Sequence, residues 1–335
     1  MIDIKTLNNI LARFENAKIL VVGDIGLDSY IVGDVKKISP EAPVPVVEAK
    51  DSYCRLGLAA NVANNIKAFG AQCKLVGIVG ADLNANLIRE ELKGLDLGSE
   101  GLVVDEDRPT THKTRVLASR LHHVVRIDKE DTRPLSDKLK KLVVDTCEQM
   151  ISWSDIVILE DYAKGLFNDG IAEQVIKLCV KNKKPVFVDP SRYTDPIVYS
   201  GATLLKPNLD EAKSIANYKN YQDGDIEDLG KIILRNLDLE NLIITRGRAG
   251  MSVFDKKGSV RNIPAFALEV FDVSGAGDTV IATLALAYVA GADIYESAVF
   301  ANAAAAIVVG KVGTAVTSKE EIINFLKEHQ KGTSN

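Results

Sequence analysis

Residues 271–281 read Phe-Asp-Val-Ser-Gly-Ala-Gly-Asp-Thr-Val-Ile, and this stretch decides how the chain is interpreted. The small residues 274–277 allow backbone N–H groups to converge on an anion, and an apolar helix predicted over residues 279–290 directs its positive end to the same point. Asp278 is poorly suited to bind that anion, because like charges repel. It is well suited to accept a proton from a hydroxyl that attacks a bound phosphate. The stretch therefore predicts a phosphoryl-transfer site, with helix packing as the alternative explanation for its glycines.

The composition narrows the class of protein. The chain has 335 residues, a formal net charge of −5 and a pI near 5.6, and it shows no basic stripe of the kind that binds nucleic acid. The start of the chain lacks a basic segment followed by an apolar one, and the longest apolar stretches, such as 301–310, are too short for a membrane span. Four cysteines lie far apart, which indicates neither a zinc site nor a disulfide framework. These features predict a cytoplasmic globular protein with no nucleic-acid or membrane partner.

Short apolar, β-branched runs alternate with amphipathic segments along the chain. The predicted strands are 18–24, 74–80, 155–161, 185–189, 203–207 and 241–245. The predicted helices between them include 59–69, 136–151, 169–181 and 226–236. Strands that are apolar on nearly every residue and separated by helices indicate an α/β fold with a mostly parallel sheet covered on both faces. We expect one domain over residues 1–330.

Polar residues end five of the predicted strands: Asp24, Asp161, Asp189, Asn208 and Thr245. In open α/β sheets, ligands bind beyond the carboxyl ends of the strands, so we expect these side chains to share one cleft. Helix capping is the alternative for each residue taken singly. Asn208 and Glu211 fit both explanations, since they can order water around Mg²⁺ or form a capping box. Thr245 and Gly247 belong either to a turn that lets nucleotide phosphates approach the backbone or to a plain hairpin.

Two segments interrupt the alternation of strands and helices. Residues 30–47 contain three prolines and short β-like runs, and residues 110–128 read as two strands around a polar turn. We expect these excursions, about 30–56 and 108–128 in full, to form a small separate β-sheet that serves as a lid or a subunit contact. The prolines disfavour a central strand and place their segment at an edge. An edge extension of the main sheet is the alternative.

Taken together, these motifs resemble those of the ribokinase-like, or PfkB-type, carbohydrate kinases. The matching parts span roughly residues 18–316 and comprise Gly23-Asp24 with Asp28, the helix start from Gly57 to Asn61, the segment from Asn208 to Glu211, and the turn from Asp272 to Asp278. The resemblance implies a ribokinase-like fold, which is a mostly parallel central sheet flanked by helices with a small β-sheet lid. It also implies ATP and Mg²⁺ as cofactors and K⁺ as an activator.

The resemblance also implies roles for single residues. Asp278 would be the catalytic base, and the amides of Gly275, Ala276 and Gly277 would form the anion hole, while Asp272 and Ser274 would bind a monovalent cation. On the sugar side we expect Asp28, Gly57, Asn61 and Asp161. On the nucleotide side we expect Asn208, Glu211 (which would also hold Mg²⁺ through water), Thr245, Gly247, Asn302 and Gly313.

One branch of the family is matched more closely. Residues 38–47, 161–165 and 300–313 look like segments of the bacterial heptose 7-phosphate kinases of lipopolysaccharide-core synthesis. This resemblance implies phosphorylation of O1 of D-glycero-D-manno-heptose 7-phosphate. Many relatives carry a nucleotidyltransferase domain after the kinase, and we expect this chain to supply the kinase step alone. A substrate that already carries a phosphate needs cations at its far end, and the candidates are Lys113, Arg115, Arg120, Arg126 and, as the preferred one, Lys164.

Four residues, at three places in the chain, depart from the pattern of that branch. Leu58 stands where relatives have a second glycine, Ser191-Arg192 stand where Lys-Gly is frequent, and Lys206 replaces a threonine before Pro-Asn. The rival functions are therefore a kinase of another sugar or sugar phosphate and a non-catalytic nucleotide- or sugar-binding regulator. A dinucleotide-binding dehydrogenase fits less well, because no Gly-x-Gly-x-x-Gly follows the first strand. The apolar residues of the lid lead us to expect a homodimer that forms through the lid sheet.

Overall fold

The computed structural model describes residues 4–118, 122–218, 221–266, 272–311 and 315–332. The strands in these ranges are β1 (Lys18–Gly23), β2 (Ile25–Ile38), β3 (Pro45–Leu58), β4 (Gln72–Gly80), β5 (Leu102–Asp105), β6 (Thr111–Ala118), β7 (His122–Lys129), β8 (Ile156–Glu160), β9 (Val186–Asp189), β10 (Leu204–Leu205), β11 (Asn241–Thr245), β12 (Met251–Asp255) and β13 (Val260–Ile263). The α-helices are α1 (Ile4–Arg13), α2 (Ala59–Ala68), α3 (Leu83–Gly94), α4 (Asp137–Ile151), α5 (Ile171–Lys181), α6 (Leu209–Ile215), α7 (Ile226–Asn236), α8 (Ala276–Val289), α9 (Ile294–Val309) and α10 (Lys319–Gly332).

The main sheet has the strand order β13-β12-β11-β10-β9-β8-β1-β4-β5. Strands β11 to β5 in that order are parallel, and β12 and β13 are antiparallel. The prediction of a mostly parallel sheet is therefore confirmed. The predicted strand 203–207 is shortened to β10, although the flanking Thr203 and Lys206 amides still donate to carbonyls of Val186 and Val188.

Alternate residues of the central strand β1 face two separate cores. Ile19 and Val21 pack into the core that contains residues of α2, α8 and α9, whereas Leu20 and Val22 pack into the core that contains residues of α4, α5 and α7. All four side chains are fully buried. A strand covered by helices on both faces has no solvent side, which explains its uninterrupted apolar sequence.

A second sheet, separate from the first, has the order β3-β2-β6-β7. Strands β2 and β3 form a long antiparallel hairpin, in which Ile25 pairs with Leu58 at one end and Ile38 pairs with Pro45 at the other. Strand β6 pairs parallel to β2. The predicted small separate β-sheet is confirmed, and an edge extension of the main sheet is ruled out. We call it the lid sheet, and its role as a lid or a subunit contact stays a prediction. The strands of the first excursion begin at Ile25, several residues before the predicted start, and β3 is an edge strand that begins at a proline, as the proline rule requires.

The helices begin close to the residues that cap them. Ser136 caps α4 and accepts a hydrogen bond from the Leu139 amide. Helix α8 begins at Ala276, three residues earlier than predicted, so Asp278 lies inside its first turn. In the part of the chain that the structure describes, no helix combines the length and the apolar character that crossing a membrane requires. The four cysteines are free thiols, and three of them are buried.

Candidate active site

The turn before α8 presents backbone N–H groups to the carboxyl edge of the sheet. Gly275 has φ 77, a left-handed conformation that glycine adopts without steric cost. The N–H groups of Gly277 and Asp278 lie in the first turn of α8, where intrahelical acceptors are lacking. The Ala276 amide instead donates to the Val273 carbonyl at 3.2 Å. Of the three amides predicted for the anion hole, that of Ala276 is therefore engaged within the turn.

Asp272 and Ser274, predicted to bind a monovalent cation, lie together at the start of this turn. The Ser274 amide donates to Asp272 Oδ1 at 2.9 Å. The Asp272 amide donates to the Val309 carbonyl at 3.2 Å, which ties the turn to the end of α9. A carboxylate is a ligand type that suits a hard cation, so the predicted cation role is compatible with Asp272. Gly313, in the segment predicted to close this site, lies outside the described residues.

A cavity of about 840 Å³ opens at the carboxyl ends of the central strands. Four of the five predicted strand-end residues line it, namely Asp161, Asp189, Asn208 and Thr245. Gly275, Gly277 and Asp278 line it from the α8 side. Asp24, the fifth residue, is not among the lining residues. The volume falls in the range of small-molecule sites, which are usually about 300–1,000 Å³.

Asp278 is buried, and both of its carboxylate oxygens accept hydrogen bonds. The Tyr162 hydroxyl donates to Oδ1 at 2.5 Å, and Asn61 Nδ2 donates to Oδ2 at 2.5 Å. Burial raises the pKa of Asp278, whereas the two hydrogen bonds favour the ionised form and lower it. Asn61 Oδ1 is buried and has no hydrogen-bond partner among the described residues. The site thus holds an acceptor for a proton and an acceptor for a ligand hydroxyl side by side.

One buried lysine lies among the carboxylates near Asp278. Lys206 Nζ contacts Asp189 Oδ2 at 2.7 Å, and the Lys206 side chain is 4% exposed. Burial raises the pKa of Asp189 to about 7. It also raises the pKa of Glu160 well above its usual value. Burial disfavours the Lys206 ammonium, but the carboxylates of Asp189 and Glu160 outweigh it and raise the pKa of Lys206. A Cβ atom built on Gly277 would lie 3.8 Å from Lys206 Nζ, so a positive charge lies against the turn.

Asp24 organises the loop that follows β8. Its carboxylate accepts hydrogen bonds from the amides of Tyr162, Lys164 and Leu166 at 3.0, 3.0 and 3.2 Å. Burial, followed by the charge of Asp161, raises the pKa of Asp24 to about 6. This strand-end aspartate therefore acts behind the cavity, where it fixes the loop.

Asp161, predicted on the sugar side, lines the cavity, and its two carboxylate oxygens are already occupied. The Ala163 amide donates to Oδ1 at 2.6 Å, and the Tyr199 hydroxyl donates to Oδ2 at 2.5 Å. A carboxylate oxygen has a second lone pair, so each can still accept from a ligand.

The lid strands place Asp28 against Gly57. A Cβ atom on Gly57 would lie 3.1 Å from Asp28 Cγ, so the absence of a side chain there leaves room for the carboxylate. Arg115 Nη1 lies 2.8 Å from Asp28 Oδ1. Asp28 is buried, which leaves Arg115 as its charge partner at the inner face of the lid.

The five cations predicted for a substrate phosphate differ in their partners. Lys164 Nζ contacts Glu130 at 2.8 Å, and Arg126 contacts Asp128 at 2.8 Å on an exposed face. Lys113 Nζ lies 5.8 Å from the centre of the Tyr162 ring, and burial lowers the pKa of its ammonium group. Arg115 pairs with Asp28, and Arg120 lies outside the described residues.

Leu58 joins β3 to α2 with φ 57 and ψ −137, backbone angles that side-chain-bearing residues rarely adopt. Its side chain is 7% exposed and packs against Gly26, where a Cβ atom would lie 3.0 Å from Leu58 Cδ1. The leucine therefore keeps the backbone conformation of a glycine, and its side chain fills the space beside Gly26.

On the predicted nucleotide side, Asn208 and Glu211 form the capping box of α6, and both also line the cavity. The capping explanation is therefore confirmed, and the role of the two residues in ordering water around Mg²⁺ stays a prediction. Thr245 and Gly247 line the cavity at the turn of an antiparallel β11–β12 hairpin. Asn302 is not among the lining residues, and its side-chain amide donates to the Pro264 carbonyl at 2.9 Å.

The sequence reasoning did not assign roles to Tyr162, Glu160 or Tyr199. Tyr162 lies inside residues 161–165, a segment that resembles the heptose 7-phosphate kinases. Lys206 lies at a place where the chain departs from the pattern of those kinases. Their contacts join residues more than 100 positions apart in the case of Tyr162 and Asp278, and no local pattern reports such a contact. Among the described residues, no group of three or more histidine, cysteine or acidic side chains is arranged to hold a metal ion.

The fold and the site define a class of protein. A mostly parallel sheet under a β-sheet lid, a helix N-terminus aimed into a cavity and a buried carboxylate beside it are the parts of a small-molecule phosphotransferase. Residues 16–321 match the model of the pfkB family carbohydrate kinases, and the chain belongs to this family. Members of this class transfer a phosphoryl group to a sugar hydroxyl.

The similar proteins agree with that membership. The bifunctional protein HldE of Pelobacter propionicus is 40% identical over 325 residues, which cover 96% of this chain and 66% of the relative. The bifunctional protein HldE of Nitratiruptor sp. is 38% identical over 314 residues, which cover 94% and 66% respectively. The chain thus spans about two thirds of the length of these relatives.

Solved structures share the fold at lower identity. Arabidopsis thaliana ribokinase, complexed with ribose and ATP, has a TM-score of 0.73 at 23% identity and covers 93% of this chain and 99% of its own. Escherichia coli phosphofructokinase-2, in complex with potassium, has a TM-score of 0.76 at 17% identity and covers 94% and 99%. These likenesses confirm the ribokinase-like fold with its main and second sheets.

Proposed function

We propose that this protein transfers the γ-phosphoryl group of ATP to O1 of D-glycero-D-manno-heptose 7-phosphate and yields the 1,7-bisphosphate. The observation that carries the phosphoryl-transfer part is the Asp278 carboxylate in the first turn of α8, beside the glycine turn and inside the cavity. The heptose part is supported by the segments 38–47 and 161–165 and by identities of 38–40% to the bifunctional relatives.

In the proposed reaction Asp278 accepts the proton of the sugar hydroxyl. The hydroxyl oxygen forms a bond to the γ-phosphorus, and the bond from that phosphorus to the oxygen of ADP breaks. The amides of Gly275 and Gly277 and the positive end of α8 stabilise the charge on the transferring group. The proton resides on Asp278 until it is released to solvent.

Lys206 adds a positive charge at the same point. Its ammonium lies against Gly277 and is held by Asp189, so it is positioned to neutralise an oxygen of the transferring group.

Mg²⁺ is usually held by one or two carboxylates, several waters and the substrate phosphates, rather than by a full protein cage. Glu211 and Asp189, both at the cavity, fit that requirement, and we assign Glu211 as the residue that holds the ion through water. When bound, Mg²⁺ neutralises phosphate charge. We assign Asp272 and Ser274 to an activating K⁺.

The sugar hydroxyls are assigned to Asp28 and Asn61. Asn61 Oδ1 is buried and has no partner among the described residues. It is therefore available to accept a hydrogen bond from a sugar hydroxyl. A site that pairs several hydroxyls rejects analogues that lack them, because the buried polar groups would then stay unpaired.

We also propose a homodimer through the second sheet. Several large apolar side chains of its strands and hairpin tip are 39–61% exposed: Val35, Ile38, Val44, Val125 and Ile127. Light scattering after gel filtration tests this assignment, with Ile127→Lys as the variant expected to give a monomer. A wild-type protein that is monomeric at micromolar concentration would contradict it.

The product of the reaction tests the sugar. The protein is incubated with Mg-ATP and, in parallel, with heptose 7-phosphate, the unphosphorylated heptose, a ketose phosphate and a nucleoside, and the products are identified by ³¹P NMR. We expect a new anomeric phosphate from heptose 7-phosphate alone. A product only from another sugar favours the rival kinase, and no product from any acceptor favours a binding regulator.

The variant Asp278→Asn tests the base. The amide keeps the shape and removes the proton acceptor, so we expect turnover to fall by about 10²–10⁴-fold while ATP binding changes little. Asp293→Asn is the matched control, because it makes the same change at the N-terminus of α9, where asparagine caps as well as aspartate. Near-wild-type turnover of Asp278→Asn would refute the mechanism.

A further inference from the structure

Tyr162 is held at three points near the proposed base, one on its backbone and two on its side chain. Its backbone amide donates to Asp24 Oδ2 at 3.0 Å, its ring faces Lys113 Nζ at 5.8 Å from the ring centre, and its hydroxyl donates to Asp278 Oδ1 at 2.5 Å. The ring therefore has little freedom to leave the carboxylate. A group held this way meets the requirement of preorganisation, in which the supporting residue is itself locked.

Tyr162 and Asn61 divide the Asp278 carboxylate between them. Each donates to a different oxygen at 2.5 Å, from elements on opposite sides of the base. A carboxylate has about four lone-pair positions, so two remain for the acceptor hydroxyl. With both oxygens anchored, the plane of the carboxylate and its free lone pairs have one orientation.

We propose, on the basis of the proposed function, that Tyr162 is a positioning residue that holds the Asp278 carboxylate, ionised and correctly oriented, for proton transfer from the acceptor hydroxyl. It touches the base and needs no contact with the reacting atoms. None of the motifs that indicate phosphoryl transfer requires this tyrosine.

The electrostatic surroundings of Asp278 make such a donor necessary. The charged and titratable groups that face it are Asp28 of β2, Glu160 of β8, Tyr162 of the following loop, Asp189 of β9 and Lys206 after β10. Burial and the nearby acids favour the protonated carboxyl, which is no base, and the Tyr162 and Asn61 hydrogen bonds oppose them. Removal of the Tyr162 hydroxyl should therefore raise the pKa of Asp278.

The test compares Tyr162→Phe with Tyr199→Phe. Both variants remove a buried hydroxyl that donates to a carboxylate at 2.5 Å, but Tyr199 donates to Asp161 and not to the base. Phenylalanine has nearly the same shape as tyrosine, so the variants should fold, and melting temperatures check this. The readouts are kcat, the KM for ATP and the pH profile of kcat/KM with the sugar that the product assay identifies.

For Tyr162→Phe we expect kcat at pH 7 to fall about tenfold and the KM for ATP to stay the same. The acid limb of the pH profile should move up by about one pH unit, because the charged form of Asp278 loses a hydrogen bond. At a pH above the shifted limb, part of the activity should return. Tyr199→Phe should leave the limb in place.

Two results would overturn the inference. The first is an acid limb that coincides with that of the wild type, whatever happens to kcat and the melting temperature. If Asp278→Asn keeps its turnover, the base assignment and this inference both fail. If Asp278→Asn is inactive and the limb of Tyr162→Phe does not move, only the role of Tyr162 is refuted.

Discussion

Leu58 offers a measurable prediction about backbone strain at the hinge between lid and core. The residue has φ 57 and ψ −137, backbone angles that glycine adopts more readily than a residue with a side chain. We expect Leu58→Gly to be more stable than Leu58→Ala, which reverses the usual order of these two residues in a regular element. Both variants lose the leucine side chain that is buried beside Gly26, so that loss cancels in the comparison.

The size of the effect follows from three contributions. A side-chain-bearing residue in such a sparsely populated region costs about 1–3 kcal/mol, and only glycine removes that cost. Against this, glycine loses one buried carbon, about 0.8 kcal/mol, and about 0.5–1 kcal/mol of chain entropy relative to alanine. Since ψ −137 lies far from the tolerated left-handed helical region, the upper part of the strain range applies. The net expectation is a glycine variant that is more stable by about 1 kcal/mol.

Chemical denaturation followed by the fluorescence of Trp153 measures the two unfolding midpoints. Leu56 supplies the matched control, because it is 3% exposed, lies two residues away on β3 and has no positive φ. There, Leu56→Ala should be more stable than Leu56→Gly by about 1.3–1.8 kcal/mol, because the buried carbon and the chain entropy both favour alanine and no strain opposes them. If alanine is as stable as glycine at position 58, or if both positions rank the two residues in the same order, the strain argument is wrong.

Three further perturbations test the proposed site. Lys164→Ala should weaken binding of the 7-phosphorylated heptose about tenfold or more and leave binding of the unphosphorylated sugar unaffected. Equal losses for the two sugars in calorimetry would remove Lys164 from phosphate recognition. The exposed Lys141→Ala is the control. Activity should rise with K⁺ at constant ionic strength, and Asp272→Ala should abolish that rise; activity that is flat from zero K⁺ in the wild type would refute the cation assignment. Lys206→Gln should lower kcat about 10²-fold and destabilise the fold by about 3–5 kcal/mol, because it leaves Asp189 buried without its partner. Adding Asp189→Asn should restore stability and leave kcat low, and recovery of both would show that Lys206 acts only through the fold.

Local patterns in the sequence were sufficient to predict several elements of this fold. The strand 241–245 and the helix 226–236 were predicted at their observed limits, because an apolar β-branched run and an amphipathic period of 3.6 residues are local properties. The lid was predicted because two segments lacked helical partners. The prolines placed one of them at an edge, since proline cannot donate to a sheet ladder.

The first turn of α8 marks the limit of that reasoning. The sequence by itself determined that residues 272–278 form a small-residue turn with an acid beside it, because turn residues and helix starts depend on neighbouring positions. Only the tertiary structure decided which groups surround that acid. Asn61 and Tyr162 reach Asp278 across 217 and 116 positions, through the order in which β1, β8 and β9 lie side by side in the sheet. Long-range neighbours are set by strand order and by packing on two faces, and no local pattern in the chain encodes them.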